Sequence, residues 1–440
     1  MQKIDLRGIW LSAAELRAVV PRATLDATAA LGQVQPLLDA VKTQGAAALY
    51  QQAEQFDGVT GHELRVPQEQ IADALAAADP QLISALQEMI RRVTAASKAQ
   101  VPAATTTVLA DGATVSQRWQ PVHRVGLYVP GGKAVYPSSV VMNAVAALTA
   151  GVRELALVSP VQSHGSVDPT ILAAAALCGV TEIYAIGGAG AIAALAYGVP
   201  EIGLAPVDII TGPGNIFVAA AKRAVTGLVG IDSEAGTTEI MVLADATANP
   251  EFVAADLVSQ AEHDEAAAAV LVTDAPELAD AVAAAVVRRT AETPHSARVQ
   301  TALNGPQSGI ILVTDTAQMI AVADAYAAEH LAIQTADAAK LAAAISNAGA
   351  LFIGPHSPVS LGDYMAGSNH VLPTGGTGRF AAGLGAHTFL RPQQIIDYNA
   401  AALQQVAAPL ATIALAEGLP AHSEAVQTRF KATRQEDSTP

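Results

Sequence analysis

The chain has 440 residues, a length that favours two or three domains over a single hydrophobic core. Apolar residues make up 51% of the sequence and charged residues 15%, a composition that excludes disorder as the dominant state. The formal charge of −16 repels nucleic-acid backbones and anionic membrane surfaces. A large enzyme fits these properties, and we expect no nucleic-acid or membrane partner.

The N-terminus and the apolar segments give no sign of export or membrane insertion. The first ten residues include three charged side chains and lack the apolar core of a secretory signal, so we expect a cytoplasmic protein. The charge-free segment 183–200 has the length of a membrane span. Its glycines and terminal proline instead favour a buried strand, a turn and a buried helix. The only cysteine, Cys178, has apolar neighbours, so any metal site is expected to use nitrogen and oxygen ligands.

The first hundred residues are predicted to be helical. The segments 31–55 and 71–97 place apolar residues three and four positions apart. From Arg124 onward, short apolar strands alternate with glycine-containing turns and alanine-rich helices. This alternation predicts a parallel α/β sheet, whose ligands gather at the carboxyl ends of the strands. One turn, 188–193, satisfies the loose dinucleotide pattern G-x-G-x-x-A, with a tight packing turn as the alternative.

The region 232–389 mixes strands with helices. A helix over 250–264 is predicted to begin with Asn249 as N-cap and Pro250 at the first helical position. The tail after about Arg391 is predicted to be helical, interrupted by a Gly-Leu-Pro turn. The sequence contains neither a repeat nor a low-complexity linker.

Several polar groups are candidates for chemistry. Gln260 and His263 are three residues apart on the predicted helix, so they share a face and can hold one ion. The alternative is a surface histidine. Glu329 and His330 stand where a helix gives way to a strand, and both can point into one cleft as proton acceptors of different basicity. A charged helix terminus is the alternative for this pair.

Three further candidates lie near the C-terminus. Asp363 falls in a glycine-rich loop, a common place for functional groups, although a turn cap is an equal explanation. Glu417 and His422 are brought close by the turn at 418–420. A carboxylate and an imidazole in such a tail are more often simply solvated.

Read together, these segments resemble a known family. The strings occur in one order: YVPGGKA-YPSSVVMNA, ITGPGN, SQAEHD, AEHL, NAGA-FIG, LGDY-AGSNHVLP and AEGLPAH. They resemble the histidinol dehydrogenase family from Ile4 almost to Phe430. The resemblance implies a zinc- and NAD-dependent enzyme that oxidises L-histidinol through L-histidinal to L-histidine with two hydride transfers, the last step of histidine biosynthesis.

The family's site residues correspond to positions of this chain. Zinc is held in the family by a glutamine, two histidines and an aspartate, which match Gln260, His263, Asp363 and His422. The resemblance makes His330 the general base and Glu329 the group that activates water on the aldehyde. It implies substrate contacts from Thr238, Gln260, His263, His330, Asp363, Glu417 and His422, and cofactor contacts from Tyr128, Gly190 and Asn215.

The resemblance also implies an architecture. We expect an α/β protein with two Rossmann-like parallel-sheet domains, a helical N-terminal region and a small helical C-terminal dimerisation tail. The expected parts are an arm (1–25), a catalytic zinc-binding domain (26–122 with 235–385), an NAD-binding domain (123–234) and a tail (386–440). A homodimer is implied, in which the tail completes the partner subunit's active site.

Some positions depart from the family pattern. Gly190 stands where an amide side chain is usual, Thr237 stands in place of a proline, and the stretch 375–392 is less family-like. These departures leave open a paralogue that oxidises another polar alcohol. The alternative from another class is a catalytically silent binding protein. The presence of all four zinc ligands and both catalytic residues argues against this alternative.

Overall fold

The structure is a computed structural model that describes residues 1–23, 27–131, 135–234 and 236–436. The domain boundaries proposed from the sequence at 25/26 and at 235 fall on residues outside this description. The chain divides into two compact units, one of Met1–Val101 with Val122–Phe389 and one of Pro102–Pro121 with Leu390–Pro440. Each unit is treated by itself.

The strands, in chain order, are β1 Gln2–Asp5, β2 Thr105–Ala110, β3 Ala113–Pro121, β4 Arg124–Tyr128, β5 Glu154–Ser159, β6 Glu182–Ala185, β7 Ile209–Thr211, β8 Gly230–Ile231, β9 Glu239–Ala244, β10 Ala268–Thr273, β11 Gly309–Leu312, β12 His330–Gln334, β13 Ala350–Ile353 and β14 Leu390–Tyr398. The α-helices are α1 Ala13–Val19, α2 Ala27–Gln44, α3 Ala46–Gln52, α4 Gln68–Ala77, α5 Pro80–Ala99, α6 Pro137–Ala150, α7 Pro169–Leu177, α8 Gly188–Tyr197, α9 Ile216–Val225, α10 Pro250–Ala261, α11 Pro276–Glu292, α12 Ser296–Asn304, α13 Thr316–Tyr326, α14 Ala338–Ala344, α15 Val359–Tyr364, α16 Ala400–Ala416 and α17 Pro420–Glu436. A π-helical turn, Ala53–Asp57, continues α3.

The first unit contains a five-stranded parallel sheet in the order β6-β5-β4-β7-β8. Counted along the chain from β4, this is the 3-2-1-4-5 order of doubly wound nucleotide-binding sheets. Every residue of β4 is buried, as expected for a parallel strand covered on both faces. Helices α2, α8 and α9 share one apolar core with the sheet. The predicted parallel α/β sheet is confirmed.

The same unit contains a six-stranded parallel sheet in the order β1-β11-β10-β9-β12-β13. Counted from β9, five of its strands repeat the 3-2-1-4-5 order, and β1 is added at one edge. Alternate residues of β9 enter different cores, since Ile240 and Val242 pack with α10 and α11 and Met241 and Leu243 pack with α1 and α13. The segment interpreted as an N-terminal arm therefore contributes an edge strand.

The second unit has an antiparallel sheet in the order β14-β3-β2, followed along the chain by α16 and α17. The prediction that the tail is helical from about Arg391 is wrong over Leu390–Tyr398. These residues pair along their full length with β3, and the adjacent Ile395 and Ile396 favour a strand. Long-range pairing of this kind leaves no helical-period signal in the sequence.

Some helix boundaries predicted from the sequence are confirmed, and others are wrong. Asn249 caps α10 as predicted, because its Oδ1 accepts the Glu251 N–H at 2.9 Å. The two long N-terminal helices are each divided, one at Gly45 and the other at Asp79, which caps α5. Segment 183–200 forms β6, a glycine turn and α8. No helix in the described ranges is both long and apolar enough to span a bilayer.

Candidate active site

A cleft of about 740 Å³ opens at the carboxyl ends of the five-stranded sheet. The loops after β4, β6 and β7 and the turn after α3 form its walls. The predicted cofactor residues Tyr128, Gly190 and Asn215 all line it. His263, predicted as a metal ligand, lines the same cleft. The structure thus brings the cofactor candidates together with one zinc candidate.

The polar groups of this cleft are fixed by local backbone. Tyr128 ends β4, and its buried hydroxyl lies near the backbone N–H of Gly188 at the start of α8. Burial raises the pKa of Tyr128 to about 12, so the phenol remains protonated at neutral pH. Asn215 caps α9, with its Oδ1 accepting from the N–H groups of Phe217 and Val218 at 3.0 and 3.1 Å.

The turn after β7 requires glycine and is held by a buried ion pair. Gly212 has φ +120°, and a Cβ there would stand 1.9 Å from the Tyr128 carbonyl oxygen. Asp232 accepts the Gly212 N–H at 2.8 Å, while the buried Lys222 donates to the Gly212 carbonyl at 3.1 Å and pairs with Asp232. This pair fixes the turn between Tyr128 and Asn215.

Glu329 and His330 stand at the amino end of β12, which begins at His330. Both are buried, at 6% and 4% exposure. Glu329 Oε2 accepts hydrogen bonds from the Thr238 hydroxyl at 2.6 Å and from the Glu239 N–H at 2.9 Å. The carboxylate is therefore oriented by the residues that open the neighbouring strand β9.

The ring of His330 is held in one tautomer. Its Nδ1 donates to the Glu239 carbonyl at 3.1 Å, which leaves Nε2 as the acceptor. Nε2 is buried, has no hydrogen-bond partner within the described residues, and lies 4.0 Å from Asp363 Oδ1. A neutral imidazole with a free, oriented lone pair can take a proton from a bound hydroxyl.

Burial governs the titration of the carboxylates in this site. Loss of solvation raises the pKa of Glu329, opposed by His330 in its protonated form and by the hydrogen bond from Thr238. The same cause raises the pKa of Glu239 to about 7, opposed by the Arg22 guanidinium 3.3 Å away. Sequence reasoning missed Glu239 and Arg22, because residues so far apart in the chain show no spacing pattern.

Gln260 lies within the same group of buried side chains. Its Nε2 donates to the Thr238 hydroxyl, and its Oε1 is buried with no partner in the described part of the chain. The prediction that this helix reaches residue 264 is wrong, because α10 ends at Ala261, two residues before His263. The C-cap Glu262 still has helical backbone angles, and the His263 N–H bonds to the Gln260 carbonyl at 3.3 Å.

Asp363 lies in the short helix α15 rather than in a loop. Its carbonyl accepts from Nδ1 of His370 at 3.0 Å, and Nε2 of His370 is 3.2 Å from the Ser139 hydroxyl on α6. Loss of solvation lowers the pKa of His370, and the nearby His330 and His263 lower it further. His370 belongs to the same LGDY-AGSNHVLP motif as Asp363.

Glu417 and His422 lie in the second unit. Glu417 caps the C-terminus of α16, Gly418 follows with φ +70°, and His422 is in the first turn of α17. Both side chains are exposed. Within the described residues, no group of three or more His, Cys, Asp and Glu side chains is arranged to hold a metal ion. Of the four predicted zinc ligands, Gln260, His263 and Asp363 share the first unit.

Comparison with known proteins identifies the family. The family model described as histidinol dehydrogenase matches residues 20–430. The chain belongs to the histidinol dehydrogenase family. It is 57% identical to the histidinol dehydrogenase of Leifsonia xyli over 433 residues, covering 98% of this chain and 99% of that one. It is 54% identical to that of Mycobacterium tuberculosis over 436 residues, covering 98% of each.

A solved structure agrees. The crystal structure of histidinol dehydrogenase from Elizabethkingia anophelis matches with a TM-score of 0.92 at 31% identity, covering 99% of each chain. The mixed α/β architecture with parallel sheets is therefore that of the family.

The departures from the family pattern occupy defined places in the structure. Gly190 lies in the first turn of α8 on the cleft wall. Thr237 directly precedes Thr238, and its hydroxyl is buried without a partner among the described residues. In the divergent stretch, a Cβ on Gly376 would stand 3.3 Å from the Tyr326 carbonyl, and one on Gly378 would stand 3.6 Å from that of Ala327. That stretch thus lies against the backbone that leads into Glu329.

Proposed function

We propose that this protein is a histidinol dehydrogenase that oxidises L-histidinol through L-histidinal to L-histidine with NAD. Family membership supports the substrate. The single observation that carries the mechanism is His330, whose Nδ1 is engaged by a carbonyl and whose buried Nε2 has no partner in the described residues. Nε2 is the natural acceptor of the substrate hydroxyl proton in the first oxidation and of the gem-diol proton in the second.

Glu329 has a separate role in the proposal. The second oxidation needs water to add to the aldehyde, and a carboxylate with a raised pKa is a stronger base toward that water. The hydrogen bonds from Thr238 and Glu239 orient the carboxylate while it takes the proton. Glu329 and His330 lie side by side, with 3.5 Å between Oε2 and Nδ1.

The residues of the first unit fit a zinc ion. Gln260 has a buried Oε1 without a partner in the part of the chain that the structure describes, while its Nε2 donates to Thr238. With the imidazole of His263 and the carboxylate of Asp363 it forms a nitrogen and oxygen donor set of the kind zinc accepts. We assign the metal to these residues together with His422. When bound, zinc would orient the imidazole and amino nitrogens of the substrate.

The cleft at the five-stranded sheet fits NAD. Its volume of about 740 Å³ and its glycine-rich wall admit a dinucleotide close to the backbone. Two NAD molecules, bound one after the other, would each accept one hydride. Tyr128 and Asn215 would contact it, and His263 on the same wall would keep substrate and cofactor adjacent. We therefore assign 123–234 to NAD binding and 235–385 to zinc and substrate, while α2 and α3 add part of the wall of the NAD cleft.

The proposal includes a homodimer with shared sites. His422 and Glu417 would be supplied to the partner subunit's site by the tail, 386–440. The second unit exposes large apolar side chains, including Ile396 at 71%, Ile413 at 60% and Leu415 at 58%. Exposed apolar groups in one unit favour burial against a second copy.

The proposal is tested by measuring NADH formation from L-histidinol and from other amino alcohols with purified, zinc-loaded protein. Selective turnover of histidinol, with two NADH per substrate, is expected. Preference for another polar alcohol would favour the paralogue that Gly190 and Thr237 leave open. Zinc content by elemental analysis should fall with activity in His263→Asn, and unchanged stoichiometry would remove His263 from the metal site.

The shared site has its own test. Mixing unfolded His263→Asn and His422→Asn proteins and refolding them should restore up to about a quarter of wild-type activity, because half of the dimers are mixed and half of their sites carry no lesion. Dimers without activity above that of the parents would place both residues in the same subunit's site.

A further inference from the structure

The space beside Gly190 is occupied by an amide from another element. An ideal Cβ on Gly190 would lie 2.4 Å from Oε1 of Gln52, 3.2 Å from its Cδ and 3.3 Å from Cδ2 of Leu49. Gln52 ends α3 and, like Gly190, lines the cleft that holds Tyr128 and Asn215. A glycine at 190 is therefore what lets the Gln52 amide rest on the first turn of α8.

The Gln52 side chain has a defined orientation. Its Nε2 donates to the Leu37 carbonyl on α2 at 3.1 Å, so the amide has its donor side toward α2 and its Oε1 toward α8. The helix continues directly into the π-helical turn Ala53–Asp57, whose Phe56 and Asp57 also line the cleft. Insertions of this kind are frequent at functional sites. Gln52 is half-buried, so its position in the cleft is open to a ligand.

We propose that Gln52 is a cofactor-binding residue of this protein, with its Oε1 accepting a hydrogen bond from an N–H or O–H group of the dinucleotide. Gly190 is the residue that makes room for this amide. The proposal rests on the assignment of the cleft to NAD. It extends that assignment to an amide carried by α3, which reaches the wall of the cleft from outside the five-stranded sheet.

The neighbouring Gln51 offers a matched control. It has the same side chain on the same helix, is exposed, and does not line the cleft. Replacement of either glutamine by alanine keeps a good helix former. Any difference in cofactor binding between the two variants therefore reports the position of the amide and not the composition of α3.

The test measures NAD binding by titration calorimetry for wild type, Gln52→Ala, Gly190→Ala, the double variant and Gln51→Ala. Gln52→Ala should weaken NAD binding about five- to tenfold, the effect of one hydrogen bond. Gly190→Ala should weaken it similarly by displacing the amide. The double variant should be no weaker than Gln52→Ala, because the two changes act through one group. Gln51→Ala should bind as wild type.

Other measurements distinguish a role of Gln52 in NAD binding from a purely structural role. Histidinol affinity and kcat at saturating NAD should be unchanged in Gln52→Ala, while KM for NAD rises. Repeating the titrations with 3-acetylpyridine adenine dinucleotide, which lacks the carboxamide N–H, identifies the donor. A loss that disappears with this analogue identifies the carboxamide, and a loss that persists identifies a ribose hydroxyl or the adenine amino group.

Three outcomes overturn the proposal. Wild-type NAD affinity in Gln52→Ala would remove Gln52 from the cofactor site while leaving the proposed function intact. Additive losses in the double variant would show that Gly190 does not act through Gln52. A wild-type protein that does not bind NAD would overturn the proposed function itself, and this inference with it.

Discussion

The two parallel sheets of the first unit share one strand order and present their functional groups at opposite ends. In the five-stranded sheet the cleft lies at the carboxyl ends of the strands, where Tyr128 ends β4 and Asn215 follows β7. This is the usual position in open α/β sheets. In the six-stranded sheet, Glu239 opens β9 and His330 opens β12, so the titratable groups gather at the amino ends.

The two ends also use different chemistry. The cleft wall is mostly glycines, apolar side chains and amides, with His263 among its titratable groups. The amino ends of β9 and β12 hold two buried carboxylates and the buried imidazole of His330. A helix that returns antiparallel to the strands ends at their amino edge, so α10 delivers Gln260 there. Two sheets with the same strand order thus differ in use: the five-stranded sheet presents a cleft at its carboxyl end, and the six-stranded sheet presents buried titratable groups at its amino end.

The largest expected effect concerns the amino ends. His330→Asn should reduce kcat about 10²- to 10⁴-fold for both histidinol and histidinal, since it removes the acceptor of both protons.

Glu329→Gln should reduce turnover of histidinal more than that of histidinol, since only the aldehyde stage needs water. Steady-state rates on the two substrates measure this. The exposed His295→Asn is the control, and equal losses on both substrates in Glu329→Gln would contradict the division of roles.

The next effect concerns the cleft end. Lys222→Met should lower the free energy of unfolding by about 3–5 kcal/mol, because it leaves the buried Asp232 without its cation. In the fraction that remains folded, NAD should bind more weakly while histidinol binding is retained, because the ion pair holds the Gly212 turn. Denaturant unfolding and calorimetry measure the two effects. Lys42→Met is the exposed control, and a parallel loss of both ligands would show that the two ends are not independent.

A smaller effect concerns the hydrogen bond that joins α10 to β12. Asp256, one turn before Gln260, accepts from Nε2 of Gln334 at 2.8 Å, and burial raises its pKa from 3.8 to about 6. The folded state then holds a proton that the unfolded state releases, so this carboxyl lowers stability as pH rises from about 4 to 6, by about 2–3 kcal/mol.

Replacing this carboxyl should remove its pH dependence. Asp256→Asn should be more stable than wild type by about 1–2 kcal/mol at pH 7, because no buried charge remains and the new amide can donate to Oε1 of Gln334, which has no partner among the described residues. The difference should shrink toward pH 4. Urea unfolding of both proteins between pH 4 and pH 7 measures this difference in the free energy of unfolding. A difference that stays constant with pH would show that Asp256 does not titrate in this range.

The sequence by itself determined the local features of this protein. Apolar strands, glycine turns and alanine-rich helices predicted the parallel sheets, and Asn249 and Pro250 marked the start of α10. The position of His330 at a helix-to-strand boundary already suggested a group displayed in a cleft. These features depend on neighbours within a few residues, which is the range over which periodicity and capping operate.

Only the tertiary structure decided which distant groups meet. The bond between Thr238 and Glu329 joins residues 91 positions apart because β9 and β12 are adjacent. The same reason explains why the sequence missed the edge strand β1 and the pairing of β14 with β3. Gln52 could not be connected with Gly190 from spacing, because their contact depends on how α3 packs against α8. Strand order and helix packing are long-range choices, so no local pattern in the chain encodes them.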